Sequence, residues 1–465
     1  MRYAWKFDWL IVLLASVATR LIPFFAHGPH PLGYDTGFYR RYAAQELSSF
    51  PGHISEGLGT DALIPRLTLD ILKIIGIPPD IAIYGTLIAA FACAALAFRH
   101  IIRKRLGKEA GLFAGLLFVF SSVQYAGYWF FLLKNYIGLI FLFLIFGELE
   151  RLSAKKTGDD RESRHPREYL PLAGYMTALF FSHKTTSLVL ISSLAIFSGI
   201  NLLKKGFRRE YLLPVAICAG GTVAYIARSG ILGRIGWHTT AIFLSSEEYL
   251  EAALPVLILS AFMLRRAWQN ANTTPFPSLL AVGGAFTLFR LPFYERIFLF
   301  LDIATIALCA EGIISLKKSF PSYGYGKKMG AIAIAAIFSG WYLGNFSRMA
   351  KIYVPMVTRE EIAEIGKITE ATEKDATILT VSDYMPWVYG FTTRNVISPG
   401  LREYTYDLED WRRFWFMMNE KEKIRFLKAL PKPLYFFTMP GSDDNFLEAE
   451  CAKKKTDYLR SFQCI

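Results

Sequence analysis

Asp35 stands inside the string Gly33-Tyr34-Asp35-Thr36-Gly37-Phe38-Tyr39-Arg40-Arg41-Tyr42. A carboxylate set among aromatic and cationic side chains can act as a general base or as a metal ligand. The competing role is local, because Asp just before a helix is a favoured N-cap. With a helix starting near Asp35, Phe38 and Tyr42 share one face while Arg40 and Arg41 point elsewhere. That pattern suits a short helix lying in a membrane interface. Tyr34, Tyr39 and Arg40 are the candidates in this stretch for contact with a substrate.

The second constellation is cationic. It comprises Lys134 with Asn135, His183 with Lys184, and Arg290, Glu295 and Arg296 in the string RLPFYER, with Arg228 and Arg234 ahead of Trp237-His238. Each set ends an apolar run on the side where Lys and Arg are otherwise scarce. Ionisable groups beside hydrocarbon are unfavourable unless they meet a partner. Lys and Arg bind phosphate through charge-assisted hydrogen bonds, so a lipid phosphate at the interface would be such a partner. Snorkelling, or a local pair such as Glu295 with Arg296, is the alternative for any one residue. His27, His30 and His53 share a loop and could bind a metal, but Gly28-Pro29 between the first two favours a turn over a common helical face.

The elements that hold these residues are constrained by composition. The chain has 465 residues, 53% hydrophobic, 15% aromatic and 20% charged, with a mean hydropathy of +0.30. Disorder, collagen and coiled coil are excluded. Runs near the ~20 residues that cross a ~30 Å hydrocarbon core recur up to residue 346. The pattern predicts a polytopic α-helical membrane protein with about eleven transmembrane helices, one of them near 211–228. The first apolar run, 9–25, follows Arg2 and Lys6 but precedes no small-residue cleavage site, so it reads as a retained span.

The net charge is +13. The cations flank apolar runs and form no separate basic strip, so they set topology and argue against nucleic acid as a partner. Their bias places the N-terminus in the cytoplasm. An odd number of spans then carries the segment after 346 to the outer side.

The chain thus divides into a transmembrane part, 1–346, with a long first outer loop at 27–77, and a tail, 347–465. The tail reads as helix at 358–371, strand at 376–381 (ATILTV), helix at 408–418, and strand at 434–437 (LYFF) after Pro431 and Pro433. Alternation of this kind predicts a small extracytoplasmic α/β domain. Within the first loop, 62–77 is amphipathic, carries Arg66, Asp70 and Lys73, and is too polar to span. Cys93, Cys218 and Cys309 fall in apolar runs and read as packing residues. Cys451 and Cys464 share the tail, where an oxidising compartment would let them pair.

In residues and layout the chain resembles the GT-C superfamily of integral-membrane glycosyltransferases. The resemblance rests on a cytoplasmic start, one span and a long outer loop with an early Gly-x-Asp-x-x-x-Tyr string. It continues through Pro65, LDILKIIG before the second span, the basic turn FRHIIRKRLG, and an outer domain after an odd number of spans. It implies a sugar donor carried on a polyprenyl phosphate or pyrophosphate, membrane lipids as partners, and a glycan, lipid or protein acceptor. It also implies that Asp35 lies at the active site.

Two departures matter. Many relatives have an acidic pair in the first loop, whereas Thr36 follows Asp35. Oligosaccharyltransferases add acidic residues in the second outer loop and a WWDYG string. Here 121–134 has no Asp or Glu, and SDYMPWVYG at 382–390 echoes that string only faintly. These departures speak against en bloc oligosaccharide transfer and leave a divalent metal as the weaker alternative to catalysis without a cofactor.

The reading is therefore transfer of a sugar from the lipid carrier to an acceptor at the outer face. Asp35 would be the base; Lys134, Asn135, His183, Lys184, Arg290, Glu295 and Arg296 would contact substrate, with Tyr34, Tyr39 and Arg40. A lipid or glycan transporter is the alternative, although membrane-embedded carboxylates are few, Asp302 and Glu311 being the main ones.

Overall fold

The computed structural model describes residues 7–30, 32–44, 63–154, 166–205, 244–269, 274–291, 294–319, 325–398, 406–438 and 451–463. In chain order its helices are α1 (Asp8–His27), α2 (Thr36–Ala44), α3 (Leu63–Ile74), α4 (Pro79–Leu106), α5 (Lys108–Val119), α6 (Ser122–Trp129), α7 (Leu133–Ala154), α8 (Leu170–Phe180) and α9 (Lys184–Lys205). They continue with α10 (Ser246–Ala261), α11 (Leu264–Gln269), α12 (Phe276–Leu288), α13 (Tyr294–Ser319), α14 (Tyr325–Ile352), α15 (Arg359–Ala371), α16 (Met385–Phe391), α17 (Leu408–Phe416) and α18 (Glu420–Lys428). The strands are β1 (Thr377–Thr380), β2 (Asn395–Ile397), β3 (Leu434–Phe437), β4 (Ala452–Lys454) and β5 (Leu459–Phe462). Two compact units result: 1–26, 54–69 and 84–354 form the first, and 27–53, 70–83 and 355–465 the second.

Within the first unit's sequence and at its ends, four helices are long and apolar enough to cross a membrane: Asp8–His27, Pro79–Leu106, Lys184–Leu203 and Tyr294–Ser315. α5 and α6, bent by 48° at their junction, make a fifth if counted as one span. The described residues therefore show four or five such spans against the expected eleven, and the run near 211–228 lies outside them. The physical reason for part of the difference is length: α8, α10 and α12 have 11, 16 and 13 residues, short of the ~20 a straight crossing needs. α7 has 22 residues but carries Lys134 at one end and Glu148, Glu150 and Arg151 at the other.

α13 is the hub of this unit. Its apolar run is 89% buried, and α5, α6, α10 and α12 pack on it, while α7 packs on α8 and α9. One end is tied by ion pairs of two buried carboxylates. Asp8 meets Arg99 and, at 3.4 Å, Arg103; Glu311 meets Arg105 at 3.0 Å and Arg266 at 3.6 Å. Arg20 is fully buried in α1 with its guanidinium 3.6 Å from the Phe91 ring centroid, between Tyr125 and Tyr128.

The second unit is built on a five-stranded sheet of order β2-β1-β3-β5-β4, with β1 parallel to β2 and β3, and β5 antiparallel to β3 and β4. The alternation of side chains along a strand divides its core in two. Ile378, Val396, Tyr435 and Phe437 pack beneath Ile365 and Ile368 of α15 and Trp387 and Val388 of α16. Leu379, Ile397, Leu434 and Phe436 pack beneath Trp411 and Phe414 of α17 and Phe426 and Leu427 of α18. The expected strands at 376–381 and 434–437 are thus present as β1 and β3, and the helices at 358–371 and 408–418 as α15 and α17. Cys451 is disulfide-bonded; Cys464, its expected partner, lies outside the described residues. Cys93 and Cys309 are free thiols.

Candidate active site

In the first unit the cations converge on one histidine. α6 ends at Trp129, and the chain reverses through Phe131, whose φ is 63°, a conformation uncommon for any residue but glycine. Bonds from Leu132 N–H to the Gly127 carbonyl (3.1 Å) and from Leu133 N–H to the Phe131 carbonyl (2.7 Å) close the turn. α7 therefore starts with Lys134 and Asn135 in its first turn. α8 ends at Phe180, and the short turn after it delivers His183 as the residue before α9, which opens on Lys184. His183 Nδ1 accepts from the Thr186 N–H at 3.3 Å and lies 2.8 Å from Thr186 Oγ1. That is an N-cap geometry, and it leaves Nε2 to carry the proton. α7 and α9 touch there: a Cβ on Gly138, one turn past Lys134, would stand 2.9 Å from Thr186 Oγ1.

Burial opposes protonation of His183, and Lys134, Arg296 and Lys184 oppose it further, so its pKa lies well below the ordinary value. Lys134, Lys184 and Arg296 thus stand close to one neutral imidazole, each in the first turn of a different helix. Cations at helix N-termini oppose the macrodipole by about 0.3–1 kcal/mol each, and the same ends are natural anion sites. Among the described residues neither Lys134 nor Arg296 makes an ion pair. At the opposite ends of α4 and α13, by contrast, Arg105 and Glu311 are paired. Asn135 is buried, and among the described residues its Nδ2 has no hydrogen-bond partner.

Arg290 and Glu295 belong to the α12–α13 connection. Arg290 is exposed, with a φ of 45°, and Glu295 is half-buried in the first turn of α13. Arg228, Arg234, Trp237 and His238 lie outside the described residues.

In the second unit, Asp35 occupies the turn before α2. The Thr36 N–H donates to the Gly33 carbonyl at 3.1 Å, and the Tyr39 N–H to the Asp35 carbonyl at 3.3 Å. Asp35 is half-buried. Tyr34 donates its hydroxyl to the Ser382 carbonyl at 3.0 Å. Burial, then Asp383 and Asp35, raise the Tyr34 phenol well above its ordinary pKa. Two carboxylates therefore flank Tyr34, one from each side of a contact between residues remote in sequence.

That contact is made by glycines. A Cβ on Gly37 would fall 1.8 Å from the Pro386 carbonyl oxygen, so α2 lies directly on the backbone of α16. Arg40 fixes the crossing: its Nε donates to Asp80 Oδ1 at 2.8 Å, its Nη1 to the Gly390 carbonyl at 2.9 Å, and its guanidinium covers Phe391 at 3.9 Å. Tyr39 is fully buried. His30 sits edge-on to Phe391, its ring centroid 4.9 Å away, and burial lowers its pKa. His53 lies outside the described residues. Among the described residues no three or more His, Cys, Asp or Glu gather as a metal site.

No protein-family signature matches the chain, and no curated protein matches it by sequence. Solved structures do. An oligosaccharyltransferase of Archaeoglobus fulgidus superposes with a TM-score of 0.69 at 10% identity, over 93% of this chain and 69% of that one. This chain has the GT-C fold. ArnT from Cupriavidus metallidurans, bound to undecaprenyl phosphate, gives a TM-score of 0.54 at 10% identity over 98% of both chains. The arabinofuranosyltransferase AftD from Mycobacteria gives 0.50 at 13% identity, over 83% of this chain but 33% of its own.

From the sequence of this GT-C chain, three positions were missed: Asp80, Ser121 and Gln124. Asp383, with Trp387 and Arg394, is a sequence candidate for contact with the acceptor, packing of a strand-to-helix turn being its alternative, but nothing in the sequence links it to Tyr34. Asp80 gives no sign that it partners Arg40. Ser121, which opens α6, and Gln124 bond to Asp302 of α13. An acidic residue inside an apolar run was the available signal for that last group.

Proposed function

We propose that the protein is a membrane glycosyltransferase that moves a sugar from a polyprenyl-phosphate carrier to an acceptor hydroxyl. The observation that carries this reading is the convergence of Lys134, Lys184 and Arg296 on neutral His183, each at a helix N-terminus. Such an arrangement is electrostatically unfavourable when empty and favourable with an anion present. ArnT, bound to undecaprenyl phosphate, shares the fold and supports a lipid phosphate as that anion.

In the reaction, Asp35 takes the proton of the acceptor hydroxyl as its oxygen bonds to the anomeric carbon. The bond from that carbon to the phosphate oxygen breaks, and the phosphate leaves with the electron pair. Lys134, Lys184 and Arg296 offset the charge that grows on it, and the Nε2–H of His183 adds a neutral donor. Tyr34 and Asp383 flank Asp35 on the acceptor side, while Tyr39 and Arg40 hold α2 in place. Asn135, Arg290 and Glu295 contact the donor. The N-terminus faces the cytoplasm, and 347–465 works on the outer side.

The test is an assay in proteoliposomes with labelled polyprenyl-phosphate sugars. Release of the sugar to an acceptor without net movement of the lipid supports transfer. Translocation of the intact lipid with no release overturns it.

A further inference from the structure

We propose that Asp302 is a positioning residue whose carboxylate ties the α5–α6 break to α13 and thereby sets Lys134 of α7 relative to Arg296 of α13. The inference rests on the reading of those cations as the donor-phosphate site. Asp302 is 1% exposed, in the middle of the most buried of the four candidate spans. Among the described residues it has no basic partner. Its Oδ2 accepts from Ser121 Oγ at 2.8 Å and from Gln124 Nε2 at 3.0 Å.

Both donors belong to the break. Ser121 is the N-cap of α6, its Oγ accepting the Gln124 N–H at 3.1 Å. Gln124 Nε2 also donates to the Leu299 carbonyl of α13 at 3.0 Å, so its amide bridges two groups about one turn apart on that helix. The connection then runs to α7. Tyr136, two residues past Lys134, donates its hydroxyl to the Gln124 carbonyl at 2.6 Å.

A continuous hydrogen-bonded path thus joins Asp302 to the first turn of α7, and α13 itself carries Arg296 six residues before Asp302. Every side chain on the path is buried, at 2% exposure or less. Water is excluded, and there the bonds are strong and their loss is unfavourable. A buried acid in an apolar helix is disfavoured unless it serves a role. Here its two hydrogen bonds tie the helix break to α13.

The test measures geometry and binding separately in the full chain in lipid nanodiscs. Spin labels go on Lys134→Cys and Arg296→Cys in a background without other free thiols, and the distance between them is read by pulsed electron resonance. Polyprenyl monophosphate binding is titrated on unlabelled protein. Asp302→Ala should broaden the distance distribution and raise the Kd about tenfold, the loss of roughly one bond to a charged group. Asp302→Asn keeps an oxygen acceptor and should restore both. Ile306→Ala removes buried volume from the same helix; it should lower the melting temperature yet change neither readout.

Should Asp302→Ala not fold, Ser121→Ala removes one donor and carries the same expectation. A wild-type distance distribution in a folded Asp302→Ala or Ser121→Ala protein overturns the proposal, as does equal broadening in Ile306→Ala. A narrow wild-type distribution that Asp302→Ala broadens, with no binding of polyprenyl monophosphate, sinks the donor reading and leaves the positioning role standing.

Discussion

Gly390 lies so close to Gly37 that a Cβ on it would stand 2.4 Å from the Gly37 carbonyl oxygen. Backbone thus meets backbone where α2 crosses α16, and the turn holding Tyr34 and Asp35 is set against Ser382 and Asp383. Gly37→Ala should destabilise the second unit by about 1–3 kcal/mol or more, since the obstructing atom is a carbonyl and cannot rotate away. Thermal unfolding followed through the tail would show it. An unchanged transition would mean the two helices can separate freely.

Asp35→Asn distinguishes catalysis from capping. Asn caps a helix about as well as Asp, so the melting temperature should hold. The amide cannot take a proton at neutral pH, and transfer should fall about 10²–10⁴-fold with donor binding retained. Near wild-type transfer would return Asp35 to a structural role.

Lys134→Met and Arg296→Met should move function and stability in opposite directions. Each should weaken polyprenyl-phosphate binding by roughly 10–100-fold, the value of a hydrogen bond to a charged group. Without ligand, each should stabilise the protein by about 0.3–1 kcal/mol by removing a cation from a helix N-terminus. Calorimetry with and without ligand reads both. A variant that loses stability and keeps affinity would show the cation to be an ordinary structural charge.

The bond at Cys451 should run to Cys464. The β4–β5 pairing brings the ends of that hairpin together, with the Gln463 N–H donating to the Cys451 carbonyl at 2.9 Å. Closing a loop of this size contributes about 3 kcal/mol in the chain-entropy account. Mass spectrometry of an unreduced digest should find the two peptides linked. A link from Cys451 to Cys218 would contradict it.

Topology is open to cysteine labelling in intact cells. With the N-terminus cytoplasmic, a single cysteine placed at Lys423, exchanged in a background without free thiols, should react with an impermeant reagent before permeabilisation. Reaction only afterwards would reverse the orientation.

The sequence alone determined part of the elements. Apolar runs near the length of a membrane crossing marked α1, α4, α9 and α13, and the strings ATILTV and LYFF marked β1 and β3, because such patterns depend on a residue's near neighbours. It also flagged Lys134, His183, Lys184 and Arg296, since a cation against the charge bias is visible one residue at a time. What it lacked was adjacency. That three of these cations share one imidazole, that Asp383 joins Asp35 beside Tyr34, and that Asp302 bonds Ser121 and Gln124 are contacts between residues up to hundreds of positions apart. Only the tertiary structure decided them, through steric fit at Gly37 and Gly138 and the need of buried polar groups for partners. The span count shows the same division. Hydropathy sums composition over a window, whereas helix length depends on where turns such as Phe131 and the α5–α6 break interrupt the backbone.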